Sequence, residues 1–127
     1  DLSTATTAGA NFDTDAPIYR ALARMAAVRA ADPALRRGEQ RVLNYTTDAP
    51  GLFAISRKSA EDGETLVVFN TSNRPLAANL WIDPALTRFE AVVGACAPRA
   101  AAPGSYRVEI PPLDYLVCRA TRRGAAR

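Results

Sequence analysis

Thirteen carboxylates, two cysteines, a single tryptophan and no histidine define the chemistry open to this 127-residue chain. Without histidine, the commonest general base and the commonest metal ligand are both missing. A pair of carboxylates is then the remaining route to hydrolysis. Asp13 and Asp15, however, sit where a helix begins and favour its positive end. Asp48, Asp62 and Asp83 fall in turn sequences that select aspartate for backbone reasons. Glu109 alternates with apolar residues and so takes the wet side of a strand. A carboxyl with a raised pKa needs a water-excluded pocket, and none is implied around these positions. No catalytic residue, cofactor or metal ligand is therefore assigned within the chain. Cys96 and Cys118 lack zinc-ligand spacing. They are either two buried small apolar residues or a disulfide that closes a loop between neighbouring strands. The disulfide would suit a periplasmic or secreted protein.

Sugar binding is the other chemistry within reach, because pyranose rings stack on exposed aromatic faces. Trp81, next to the Asp83-Pro84 turn, is the best candidate, with Tyr45 and Tyr106 behind it. A tryptophan at a strand end is more commonly half-buried packing, and that is the reading favoured for Trp81.

The elements that would carry these residues change period partway along the chain. Residues 1–11 are small and polar, an irregular lead-in. Asp13 or Asp15 can cap the helix that follows, and Pro17 suits its first turn, where the missing N–H costs nothing. Ile18, Leu22 and Met25 follow the helical period until Pro33 stops it; Ala34 to Arg37 add a turn and Gly38 closes it. From there the period is two, predicting strands at 41–45, 52–57, 65–70, 76–82, 89–93, 106–110 and 115–119. Pro, Gly, Asn and Asp fill the gaps between them. About seven short strands with turns every 8 to 12 residues predict an antiparallel Greek-key β-sandwich of about seven to eight strands, preceded by one amphipathic helix.

Composition excludes several classes. The net charge is +3, but fifteen arginines and Lys58 are scattered singly and in pairs, without the clustering that nucleic acid requires. No apolar run reaches the roughly 18 residues of a membrane span. That the first residue is Asp1 points to a start inside a longer polypeptide.

The order of these features resembles the carboxy-terminal end of glycoside hydrolase family 13, the α-amylase family. Val28-Arg29, Pro33-Ala34-Leu35 and Gly38 are similar to the end of the last helix of that family's (β/α)8 barrel. The run from Gly51 to Arg57, an acidic turn and then Thr65 to Asn70 looks like the first hairpin of its C-terminal domain. Ile110 to Val117 is similar to the last two strands. The resemblance covers about residues 11–120. It implies a parent enzyme, a hydrolase or a glucanotransferase, acting on α-glucosidic bonds with retention. The reacting carboxylates would then stand about 5 Å apart, on barrel strands outside this chain.

On that reading, residues 1–38 are the lead-in and final barrel helix, 39–120 the C-terminal β-sandwich, and 121–127 a frayed basic tail. The partners implied are the catalytic barrel of the same polypeptide and an α-glucan, with no nucleic acid and no membrane. The domain would stabilise the barrel, with an accessory carbohydrate-binding module for starch or malto-oligosaccharides as the alternative. The stripe of Ile18, Leu22 and Met25 would face the barrel. Lacking a barrel, it must fold back on the sandwich, pair two copies into a homodimer, or stay exposed.

Overall fold

The structure, a computed structural model, describes residue 15 and residues 17–45, 49–61 and 63–121; for Ile18 and Tyr45 only the backbone is described. Two helices, α1 (Pro17–Ala31) and α2 (Pro33–Arg37), precede seven strands. These are β1 (Glu39–Tyr45), β2 (Leu52–Ser59), β3 (Gly63–Asn70), β4 (Leu76–Trp81), β5 (Arg88–Val93), β6 (Ser105–Ile110) and β7 (Asp114–Thr121). Every strand expected from the period-two pattern is present, with ends shifted by a residue or two. Thr121, expected in the basic tail, is instead the last residue of β7, paired with Arg88; residues 122–127 lie outside the described residues.

All pairings are antiparallel. One sheet runs β1-β2-β3-β7-β5 and the other is the ribbon β4-β6. After β3 the chain alternates between sheets, so β4 pairs with β6 while β5 and β7 pair in the facing sheet. Strand alternation then builds the core. Leu66 and Val68 of β3 and Leu116 and Cys118 of β7 face Leu80 of β4 and Tyr106, Val108 and Ile110 of β6, all 3% exposed or less. Phe89 and Tyr106 meet across the sheets with ring centroids 4.0 Å apart.

The predicted proline stop is real and divides the helical segment in two. Asp32 is the N-cap of α2: its Oδ1 accepts the Ala34 N–H at 3.0 Å, and Pro33 stands in the first turn, where its missing donor is harmless. Gly38 closes α2 by donating to the Ala34 carbonyl at 2.8 Å. A Cβ at Gly38 would strike that same carbonyl and come within 3.0 Å of the Lys58 backbone nitrogen, so only glycine lets α2 meet β2 here.

Asn70 holds the opposite end of the sandwich. Its Nδ2 donates to the carbonyls of Arg74, Ile110 and Pro111, and its Oδ1 accepts from the Ser72 N–H and hydroxyl. Asn70 thus ties the turn that follows β3 to the end of β6.

Candidate functional site

The outer face of the five-stranded sheet is organised in rows, because antiparallel partners place their side chains on the same side. One row pairs Phe53, Phe69 and Tyr115, with centroid separations of 6.5 and 5.9 Å; Tyr45 is the backbone partner of Phe53 at its end. A second row is Val42, Ile55, Val67 and Val117. The third is polar: Gln40, Arg57, Thr65 and Arg119.

The helical segment docks on the polar row. Asp32, 2% exposed, accepts from the Thr65 hydroxyl at 2.6 Å, and the Arg119 guanidinium approaches the same Oδ2 at 3.3 Å. Arg119 also reaches Glu90 at 3.5 Å. One carboxylate therefore caps α2 and fixes it to β3 and β7. None of these three residues stood out from sequence. The available signal was the aspartate directly before Pro33, a helix-start pattern.

The two apolar rows remain partly uncovered. Phe53 is 38% exposed and Val42 48%. Beside them α1 leaves Tyr19, Leu22 and Met25 exposed, Leu22 by 58%. Met25 meets the aromatic row at an open hollow of about 320 Å³, shared with Phe69, Leu113 and Tyr115. In the single chain Leu22 and Met25 of this stripe are exposed; the side chain of Ile18 lies outside the described residues.

The sequence candidates for sugar contact separate. Tyr106 is fully buried, and its hydroxyl donates to the Ala97 carbonyl at 2.7 Å. It therefore offers no face to a ligand, and the expectation of a sugar contact there is corrected: its place in the alternation points it into the core. Burial also pushes its phenol up to about 12. Trp81 departs from the half-buried packing favoured for it. It is 81% exposed, on the outer side of the β4-β6 ribbon, while its neighbour Leu80 enters the core. Nothing is described of the Tyr45 side chain.

A polar cleft of about 570 Å³ opens where β1 and β2 extend beyond the ribbon, lined in part by Glu39, Arg41, Lys58, Glu64 and Asp83. Its carboxylates have local partners. Glu64 accepts from the Ser56 hydroxyl, although its Oε2 is buried without a partner. Asp83 accepts from the Ala85 N–H at 2.9 Å and from Lys58 at 3.3 Å, and these two donors, Ala85 first, hold it below the usual carboxylate value. Among the described residues no group of three or more Asp, Glu, Cys or His is placed to hold a metal ion. Cys96 and Cys118 form a disulfide, which decides between the two sequence readings. No helix among the described residues is long and apolar enough to cross a membrane.

Two antiparallel sheets, a short helix clasped to the outside of one of them and a partly uncovered apolar face define a β-sandwich domain. No family model matches the chain. It is 34% identical over 123 residues to an α-amylase of Streptomyces lividans, covering 95% of this chain but 13% of that protein. Among solved structures it superposes on the Nostoc punctiforme debranching enzyme with a TM-score of 0.65 and 17% identity, over 82% of this chain and 21% of that one. AmyP bound to maltotriose gives 0.66 and 16%, over 84% and 21%. The α-amylase from H. orenii gives 0.60 and 15%, over 82% and 20%. The chain is thus similar in sequence to part of an α-amylase, and in fold to part of each of these solved structures. It spans about an eighth of the length of the amylase it matches.

Proposed function

We propose that this chain is the non-catalytic C-terminal β-sandwich of an α-amylase-like glycoside hydrolase acting on α-glucans, and that it stabilises the catalytic barrel of the same polypeptide. Residues 1–38 supply the last barrel helix and 39–120 the sandwich. The observation that carries this reading is the partly uncovered apolar row of Phe53, Phe69 and Tyr115, with Met25 of α1 beside it and Leu22 exposed on the same helix. Apolar surface of that kind, rimmed by polar groups, marks a contact with another body. The clasp at Asp32 supports the same reading, since it sets the helix at a fixed place on the sandwich. The matches are to amylase-family proteins several times longer than this chain, and one of them was crystallised with maltotriose. The disulfide supports a parent that folds in an oxidising compartment, periplasmic or extracellular.

The test is to place Phe69→Asp and Tyr115→Asp in the complete polypeptide. Both variants should lower the temperature at which hydrolytic activity is lost, without changing kcat at low temperature. Unchanged heat inactivation in both would defeat the reading. A second role, as an accessory carbohydrate-binding module, is favoured by one observation, the exposure of Trp81.

A further inference from the structure

We infer that the outer face of the β4-β6 ribbon is an α-glucan-binding platform, with Trp81 as the stacking surface and Asn79, Arg107 and Glu109 as its hydrogen-bonding rim. This rests on the accessory-binding reading and assigns it a place. The register sets the residues together. Trp81 pairs with Ser105, Asn79 with Arg107 and Ala77 with Glu109, so all six lie on the solvent side of a two-stranded surface. Same-face neighbours along and across such strands stand about 5 to 7 Å apart. The indole and the amide, guanidinium and carboxylate groups therefore lie within reach of one or two sugar rings. Arg107 and Glu109 pair at 3.8 Å, which presents both donor and acceptor to hydroxyl groups. A shallow hollow of about 330 Å³, floored by Pro103, Gly104 and Ser105, adjoins the indole and gives a second ring somewhere to rest.

Packing between domains does not account for Trp81. The helices and the apolar rows lie on the far side of the five-stranded sheet, and the core separates them from this ribbon. The ribbon carries no second large apolar side chain beside the indole, and its outer neighbours are polar or small. A protein contact of any strength centres on a larger desolvated patch. One broad aromatic face ringed by hydrogen-bonding groups suits a pyranose instead, apolar on its C–H face and hydroxylated at its edge.

Trp81 is the only tryptophan in the chain, so fluorescence excited selectively at tryptophan reports on this site alone. Titration of the 127-residue chain with maltoheptaose should shift its emission to the blue, saturating in the millimolar range. Calorimetry should give the same affinity, weakened at least about tenfold in Trp81→Ala and about threefold in Asn79→Ala or Arg107→Ala. An exposed side chain can be truncated without unfolding the domain, and far-ultraviolet circular dichroism of each variant checks this. Heat of binding that survives Trp81→Ala would overturn the platform while leaving the accessory-binding reading in place. The absence of heat and of any emission shift would overturn both. Equal response to cellohexaose would overturn the assignment to α-glucans, and an emission shift that follows protein concentration instead of sugar would make the ribbon a self-contact.

Discussion

Asp32 and Thr65, thirty-three positions apart, meet through a 2.6 Å hydrogen bond in a site closed to water, and the helical segment is fixed to the sandwich there. The same carboxylate caps α2 and faces Arg119, so loss of one side chain removes a helix cap, a buried hydrogen bond and an ion pair together.

Asp32→Ala should therefore destabilise the chain by about 2–3 kcal/mol, combining a cap with a buried bond, and the partly exposed Arg119 pair adds little. Thr65→Val, which keeps the shape, should cost about 1 kcal/mol. Urea unfolding of both singles and the double variant checks this; the two costs should add to more than the double shows. Strict additivity would mean that the bond carries no coupling.

Reduction of Cys96–Cys118, which closes a 22-residue separation, should lower stability by about 3 kcal/mol. Titration of the unreduced chain with a thiol reagent should find no free thiol, and urea midpoints with and without reductant should differ accordingly. Two free thiols in the folded, unreduced protein would contradict the pairing.

Leu22, 58% exposed on α1, should drive self-association when the chain stands alone. Sedimentation of the wild type should show a concentration-dependent dimer, and Leu22→Glu a monomer at every concentration. If the charge leaves the profile unchanged, the helix stripe is not the contact.

Tyr106 makes stability depend on alkaline pH. Its phenol rises from an ordinary value of 10 to about 12 because the folded state buries it. The stabilisation held by the neutral phenol is therefore complete below about 10 and is lost as pH rises from there through about 12. Thermal melts should fall through that window, and Tyr106→Phe should flatten the fall while costing about 1 kcal/mol at neutral pH for the bond to Ala97. An equally steep fall in the phenylalanine variant would assign the effect to another group.

Period and punctuation alone determined much of this protein. The shift from helical to period-two spacing at Gly38 and the alternation of Tyr106, Val108 and Ile110 with Arg107 and Glu109 are local signals. Strand faces and turns follow from them because side-chain direction is set by the backbone within a few residues. The order of Val28-Arg29, Pro33-Ala34-Leu35, Gly38 and the strands that follow carried a resemblance to the α-amylase family on equally local grounds. What only the tertiary structure decided involves partners distant in sequence. Asp32 finds Thr65 and Arg119 because β3 and β7 are neighbours, and Phe53, Phe69 and Tyr115 form a row only once three strands take their register. Trp81 was read as half-buried because a strand end has no side until its sheet is known. Pairing with β6 placed Leu80 in the core and left the indole in water.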